Sequence, residues 1–257
     1  MACRRTSLGN LLWVLPSVFT WVMAFGVMIG LAIICIPIAV FVRFERFQRK
    51  GPAQVMGLVP RLSGSRIVVH FDPGYDPGRV SLYVQNHVSM LDGHIALATI
   101  PQVFCGLENA AHLRIPGYGQ MMRLGNTIPV YRRSDGRASE IAASARERAS
   151  RGISILTFPE GHRTLDGGVR PFRTGVFRIA RDADLPIVPI AVRGAYKMLP
   201  KGTAILRAVR IDVYIGAQVE TAGLSDDELV ELSVELRAKI AAIVEPEATD
   251  LRSHTGG

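Results

Sequence analysis

Three short segments hold residue types that can do chemistry. The first is Asn86-His87-Val88-Ser89-Met90-Leu91-Asp92, in which a histidine stands five residues before an aspartate. On an ideal helix these side chains would point about 140° apart, at about 100° per residue. They meet only if His87 precedes a helix and Asp92 reaches back from its first turn. So placed, the imidazole would serve as general base on a hydroxyl, and the carboxylate would fix its tautomer and stabilise the imidazolium that forms. The segment also reads as turn and cap residues around a satisfied polar histidine, and alone it does not choose.

The second segment, Phe158-Pro159-Glu160-Gly161-His162-Arg163-Thr164, directly follows a β-rich run. It puts a turn where an active-site loop of an α/β sheet lies. Glycine lets the backbone approach a ligand closely, and an arginine fork matches phosphate geometry, so the segment suits a phosphorylated substrate. As a bare Pro-Glu-Gly turn it would carry no information. Between the two lies Gly125-Asn126-Thr127-Ile128-Pro129-Val130-Tyr131-Arg132, a short strand whose terminal arginine is either an anion ligand or a solvated surface charge.

The elements that must position these residues read as an α/β domain. Expected strands are Arg66 to Phe71, Val80 to Gln85, Gln102 to Cys105, Ile153 to Phe158, Ile187 to Val192 and Ile205 to Ile215. Several lack polar alternation, as strands covered on both faces do. A surface helix is expected over Ser134 to Arg151, stopped by Gly152. Ser225 with Glu228 forms a capping-box pattern, after which Leu229, Leu232, Leu236, Ile240 and Ile243 recur at helical spacing. The polar, glycine-ended stretch Glu245 to Gly257 is expected to fray.

Ahead of this domain, no charged residue occurs between Arg5 and Arg43. As one helix that run would be roughly 50 Å long against a hydrocarbon core of about 30 Å. A tilted or kinked span and a hairpin bent near Gly26 and Gly30 both fit, and the hairpin is the preferred expectation. Arg4 and Arg5 before the run, and Arg43, Arg46, Arg49 and Lys50 after it, would keep both ends cytoplasmic. A cleaved signal peptide is disfavoured by the length of the run and the lack of a small-x-small site after it. The stretch Phe44 to Val59 would lie on the membrane or pack as a linker helix. The expected division is therefore an anchor over 1–50, a catalytic domain over 51–245 and a polar tail over 246–257.

The chain has 257 residues and a formal net charge of +8, which points to anionic partners. Its three cysteines, Cys3, Cys35 and Cys105, are too few and too scattered for a disulfide framework or a zinc site.

The Asn-His-x4-Asp segment, the strand ending in Arg132 and the Phe-Pro-Glu-Gly-x-Arg segment, in this order and spacing, resemble the glycerolipid acyltransferase family that includes 1-acylglycerol-3-phosphate acyltransferases. Pro171-Phe172-Arg173-Thr174-Gly175 and the proline-containing strand Leu185 to Val192 are similar to further family segments. The resemblance covers residues 65–200 and implies a mixed, largely parallel sheet flanked by helices, with an N-terminal hydrophobic helical anchor.

It further implies His87 as the base that deprotonates the acceptor hydroxyl and Asp92 as its orienting partner. Arg132 would bind the acceptor phosphate; Glu160, Gly161 and Arg163 would form the acceptor site; Asn86, Phe158, Pro159 and Arg173 would support it; Pro189 would shape a wall of the acyl or donor site. The implied reaction moves an acyl group from acyl-CoA or acyl carrier protein, as co-substrate, to the sn-2 hydroxyl of 1-acylglycerol-3-phosphate. No cofactor or metal is implied. The implied partners are a lysophospholipid, the thioester donor and anionic membrane lipids, without nucleic acid, at the cytoplasmic face of the inner membrane.

His162, Tyr131 and the stretch Gly106-Leu107-Glu108-Asn109-Ala110 depart from the usual pattern and leave other lysolipids, such as lyso-ornithine lipid, open as acceptors. The rival of another class is a membrane-tethered binding protein for anionic ligands. Against a nucleic-acid role stands the lack of any arginine-rich run or aromatic-interleaved basic motif.

Overall fold

The computed structural model describes residues 8–115, 117–131 and 137–255, with side chains from 11 to 245. In chain order, α1 (Leu8–Phe41) leads through two 3-10 turns into α2 (Pro52–Gly57) and α3 (Val59–Leu62). Then follow β1 (Arg66–Phe71), β2 (Leu82–Gln85), α4 (Asp92–Thr99), β3 (Phe104–Asn109), α5 (Tyr118–Leu124), β4 (Ile128–Val130), α6 (Ala138–Ser150) and β5 (Ser154–Thr157). The chain closes with α7 (Gly175–Asp182), β6 (Ile187–Arg193), α8 (Ala195–Met198), β7 (Arg210–Ile215) and α9 (Asp226–Thr255).

The seven strands form one sheet in the order β1-β7-β6-β2-β5-β3-β4. Every neighbouring pair is parallel except β6 with β7. The expected mixed, largely parallel sheet is therefore the observed one. All four residues of β2 and of β5 are buried, which is why neither strand alternates polar with apolar. Alternate residues feed opposite faces. Tyr83, Leu156, Val188 and Ile190 join Leu91 and Ile95 of the α4 side. Leu82, Val84, Ile155 and Ile187 join Phe177 of α7 and Leu229, Leu232 and Leu236 of α9. Each fully buried Leu or Ile contributes about 1.5–3 kcal/mol, so both layers are needed to hold the sheet.

The expected hairpin is not formed: α1 is one continuous helix of 34 residues. A reversal near Gly26 and Gly30 would leave backbone groups without partners, and no polar side chain between Trp21 and Cys35 could take them, so the helix continues through. One face of α1 lies on the domain, through Ser17, Thr20, Ala24 and Cys35. The Leu206 N–H donates to Ser17 Oγ at 2.8 Å, Thr20 donates to the Leu62 carbonyl at 3.2 Å, and the Trp21 ring N–H donates to the Ala204 carbonyl at 2.7 Å. The opposite face, including Val18, Val22, Phe25, Ile29, Ile33 and Val40, is exposed.

Other boundaries moved for local reasons. The expected strand from Ile205 begins only at Arg210, because the Leu206 amide is engaged by α1 rather than by a neighbouring strand. The expected strand from Gln102 instead runs from Phe104 to Asn109. The Phe44 to Val59 stretch breaks into short turns and α2, which packs on α4. There Gly57 comes so close to Ala98 that a Cβ would sit 2.9 Å from its Cα. The C-terminal helix runs through Thr255, beyond the point where fraying was expected. Its capping box forms as anticipated, with the Ser225 N–H donating to Glu228 at 2.7 Å and the Glu228 N–H to Ser225 at 3.3 Å. Cys35 and Cys105 are free and buried.

Candidate active site

β2 and β5 are adjacent parallel strands, so the segments that follow them leave the same edge of the sheet. This is where an open α/β sheet forms its ligand crevice. Asn86 ends β2. Its side chain accepts the Val192 N–H at 2.7 Å and donates to the Val192 carbonyl at 3.0 Å, continuing the pairing toward β6 as the main chain turns away. That pin sets His87 at the strand end.

α4 starts at Asp92, and its carboxylate reaches back as the spacing required. Asp92 Oδ2 lies 2.8 Å from His87 Nδ1 and also accepts the N–H groups of Val88 at 2.8 Å and Ser89 at 2.9 Å. Asp92 is fully buried, whereas the His87 side chain keeps 23% of its surface. With Nδ1–H donated to the carboxylate, Nε2 is left as the basic nitrogen for an incoming proton. Phe158 stacks on the imidazole at 4.2 Å between centroids.

The second segment folds into a tight turn, with the Gly161 N–H donating to the Phe158 carbonyl at 3.0 Å. Gly161 has φ +75°, and a Cβ there would sit 2.7 Å from the Arg173 guanidinium. Glycine is thus required twice, for the left-handed conformation and to seat Arg173. Pro159 holds that arginine's main chain, its carbonyl accepting the Arg173 N–H at 2.9 Å. Arg173 is exposed and Arg163 half-buried, so both cations are available at the rim.

Two expected site residues stand elsewhere. Glu160 is only 6% exposed. Its Oε1 accepts the His87 N–H at 2.7 Å and its Oε2 the Arg170 N–H at 2.9 Å, which does not fit the direct acceptor contact expected of it. Burial pushes its carboxyl up to about 7, against the two amides, which favour the ionised form. Pro189 lies within β6, on the face opposite α4 by strand alternation, with its ring against Gly216. It therefore shapes the junction with β7 rather than a wall beside His87. Its missing N–H would face the end of β7, where the β6 to β7 pairing begins only at Ile190. Arg132 lies outside the described residues.

The structure also adds groups that the motifs did not announce. The Thr164 N–H donates to the His87 carbonyl at 2.9 Å, a main-chain contact that no side-chain pattern reveals. Gln85 is fully buried, and its amide atoms, like Asp92 Oδ1, have no hydrogen-bond partner among the described residues. Burial lowers the His94 imidazole to about 4, so it stays neutral at physiological pH.

Comparison with known proteins bears on this site. A family model described as Acyltransferase matches residues 66–193. The chain is 32% identical over 122 residues to a chloroplastic 1-acyl-sn-glycerol-3-phosphate acyltransferase of Brassica napus, covering 48% of this chain and 35% of that protein. It is 26% identical over 229 residues to the 1-acyl-sn-glycerol-3-phosphate acyltransferase alpha of Ovis aries, covering 88% of this chain and 79% of the relative. The match to the plant relatives is partial: it spans between about a third and a half of the Brassica napus and Limnanthes douglasii proteins. The crystal structure of the 1-acyl-sn-glycerophosphate acyltransferase of Thermotoga maritima superposes with a TM-score of 0.74 at 21% identity, over 95% of this chain and 97% of that one, and so shares the fold. The dyad and the Phe-Pro-Glu-Gly turn both lie inside the matched residues, so residues 66–193 carry an Acyltransferase domain.

Proposed function

We propose that the protein transfers an acyl group from acyl-CoA or acyl carrier protein to the free sn-2 hydroxyl of 1-acylglycerol-3-phosphate, giving phosphatidic acid. The observation that carries this reading is the His87–Asp92 pair at 2.8 Å, with Nε2 directed away from the carboxylate and cationic side chains on the neighbouring turn. The names of the relatives support the choice of acceptor. In the reaction, Nε2 takes the hydroxyl proton as the acceptor oxygen attacks the thioester carbonyl. The C–S bond then breaks, and the imidazolium returns the proton to the departing thiolate. No acyl-enzyme forms, and the sequence of steps is complete without a metal or redox cofactor. Arg163 and Arg173, with Arg132, bind the acceptor phosphate through charge-assisted hydrogen bonds.

The reading places the protein on the inner membrane with its site facing the cytoplasm. α1 is long and apolar enough to cross a bilayer. Its hydrogen bonds to Leu206, Leu62 and Ala204, together with the burial of Cys35 near its other end, keep it beside the domain over most of its length. A helix so tethered lies along one leaflet, with Val18, Phe25 and Ile29 toward the acyl chains and the anionic lipids beside its basic flank.

The test is thiol release from palmitoyl-CoA by the detergent-solubilised protein with lysophosphatidic acid, with other lysolipids and with no acceptor. Release that requires lysophosphatidic acid supports the assignment; release with another lysolipid only changes the acceptor. His87→Ala is expected to lower turnover by about 10²–10⁴-fold with the fold intact, and full activity in that variant would remove the mechanism.

A further inference from the structure

His87 is held at its ring, its N–H and its carbonyl by one segment of chain. Phe158 stacks on the imidazole, Glu160 Oε1 accepts the N–H at 2.7 Å, and the Thr164 N–H donates to the carbonyl at 2.9 Å. Of the three, only Glu160 brings a charge, and both its oxygens are spent on main-chain amides, those of His87 and Arg170. Asp92 fixes the imidazole through Nδ1, but it belongs to the same local turn as His87 and cannot by itself set that turn against β5. The registration of the base against the loop that carries Arg163 and Arg173 therefore runs through Glu160 and Thr164.

We propose that Glu160 is a positioning residue for the base: its carboxylate, anchored by the Arg170 amide, holds the His87 main chain so that Nε2 faces the acceptor hydroxyl, and it makes no contact with the acceptor. This deepens the reading of His87 as general base and rests on it. A carboxylate facing the acceptor would repel its phosphate, whereas one buried behind the histidine does not compete with the cations of the rim. Each oxygen accepts one main-chain N–H, so a side chain with an acceptor at both oxygens matches this pair of donors, which an amide cannot do. Burial of that charge opposes folding, a cost consistent with a group retained for geometry rather than stability.

The test compares the full-length wild type, Glu160→Gln, His87→Ala and the double variant, using palmitoyl-CoA and 1-oleoyl lysophosphatidic acid in detergent micelles. Glu160→Gln is expected to lower kcat about 10- to 100-fold, because small misplacement of a reacting group costs that much. The acceptor KM should stay within about twofold of the wild-type value. In the His87→Ala background the same change should leave the residual rate unaltered, since Glu160 acts only through the histidine. A raised acceptor KM with unchanged kcat, or equal losses with and without His87, would overturn the proposal. Undiminished activity of His87→Ala would instead remove the reading on which it rests. Glu160→Asp, which keeps the charge but is too short to bridge both amides, is read in the same way and carries the test if the glutamine variant does not fold.

Discussion

Around the dyad each side chain is set by what its backbone neighbours need. Asp92 Oδ2 gathers the His87 ring and the Val88 and Ser89 amides, so the carboxylate closes the turn and orients the base together. At Gly161 the constraint is steric. Gly161→Ala would place a methyl in the left-handed region and 2.7 Å from the Arg173 guanidinium. It is expected to destabilise by about 1–2 kcal/mol and to raise the acceptor KM by displacing that arginine. Urea unfolding and acceptor titration would measure the two effects separately. Glu160 adds a pH effect with a definite sign. Its folded value of about 7 lies above the ordinary 4.5, with the His87 charge facing it and lowering that value and the Asp92 charge raising it. The folded chain thus holds this proton more tightly than the unfolded chain. The stability it contributes is fully present below about 4.5 and is lost as pH rises through about 7. Melting curves over that range should show the wild-type Tm falling relative to Glu160→Gln.

The elements link the anchor to the chemistry. α2 follows α1 and packs on α4, whose first residue is Asp92, and the contact is close because Gly57 has no side chain. Gly57→Ala would bring a Cβ within 2.9 Å of the Ala98 backbone and is expected to cost about 1–3 kcal/mol. If α2 moves, α4 is strained with it, so kcat should fall along with Tm; a thermal melt and a rate on the same sample decide. Much of this level was legible in the chain. The run Arg66–Phe71 is a strand over those same residues, the core strands β2 and β5 fall inside the expected runs, and β6 exceeds its run only by Arg193, because uninterrupted β-branched stretches bounded by turn residues are a local signal. α5 gave no such signal. It has no side-chain cap, and its Gly119 sits against Leu113, whose carbonyl oxygen a Cβ would meet at 2.0 Å, a tertiary contact that spacing does not encode.

Over the whole molecule, a net charge of +8 and a helix with one bare apolar face both favour an anionic membrane. Part of the expected basic flank is turned inward: Arg49 donates to the Leu97 carbonyl at 2.8 Å. Insertion of α1 should therefore outweigh surface charge in membrane attachment. Replacing Val22, Phe25 and Ile29 by Asp puts three charges on the face turned to the acyl chains and is expected to release the protein from anionic vesicles. Raising salt beyond the screening length of about 10 Å at 0.1 M should weaken binding only partly. Vesicle sedimentation would distinguish the two, and complete release by salt alone would refute the insertion. What chain order specified was whatever depends on near neighbours: a histidine and an aspartate five residues apart at a strand end, a turn built on Gly161, and an apolar run too long to be a core strand. The tertiary structure decided that α1 is one helix beside the domain, that Pro189 faces away from α4, and that Glu160 serves the His87 main chain. The first follows from the bonds of α1 to Leu62, Ala204 and Leu206, and the other two from which distant strands pair and which face of the sheet a residue meets; no local spacing carries that information.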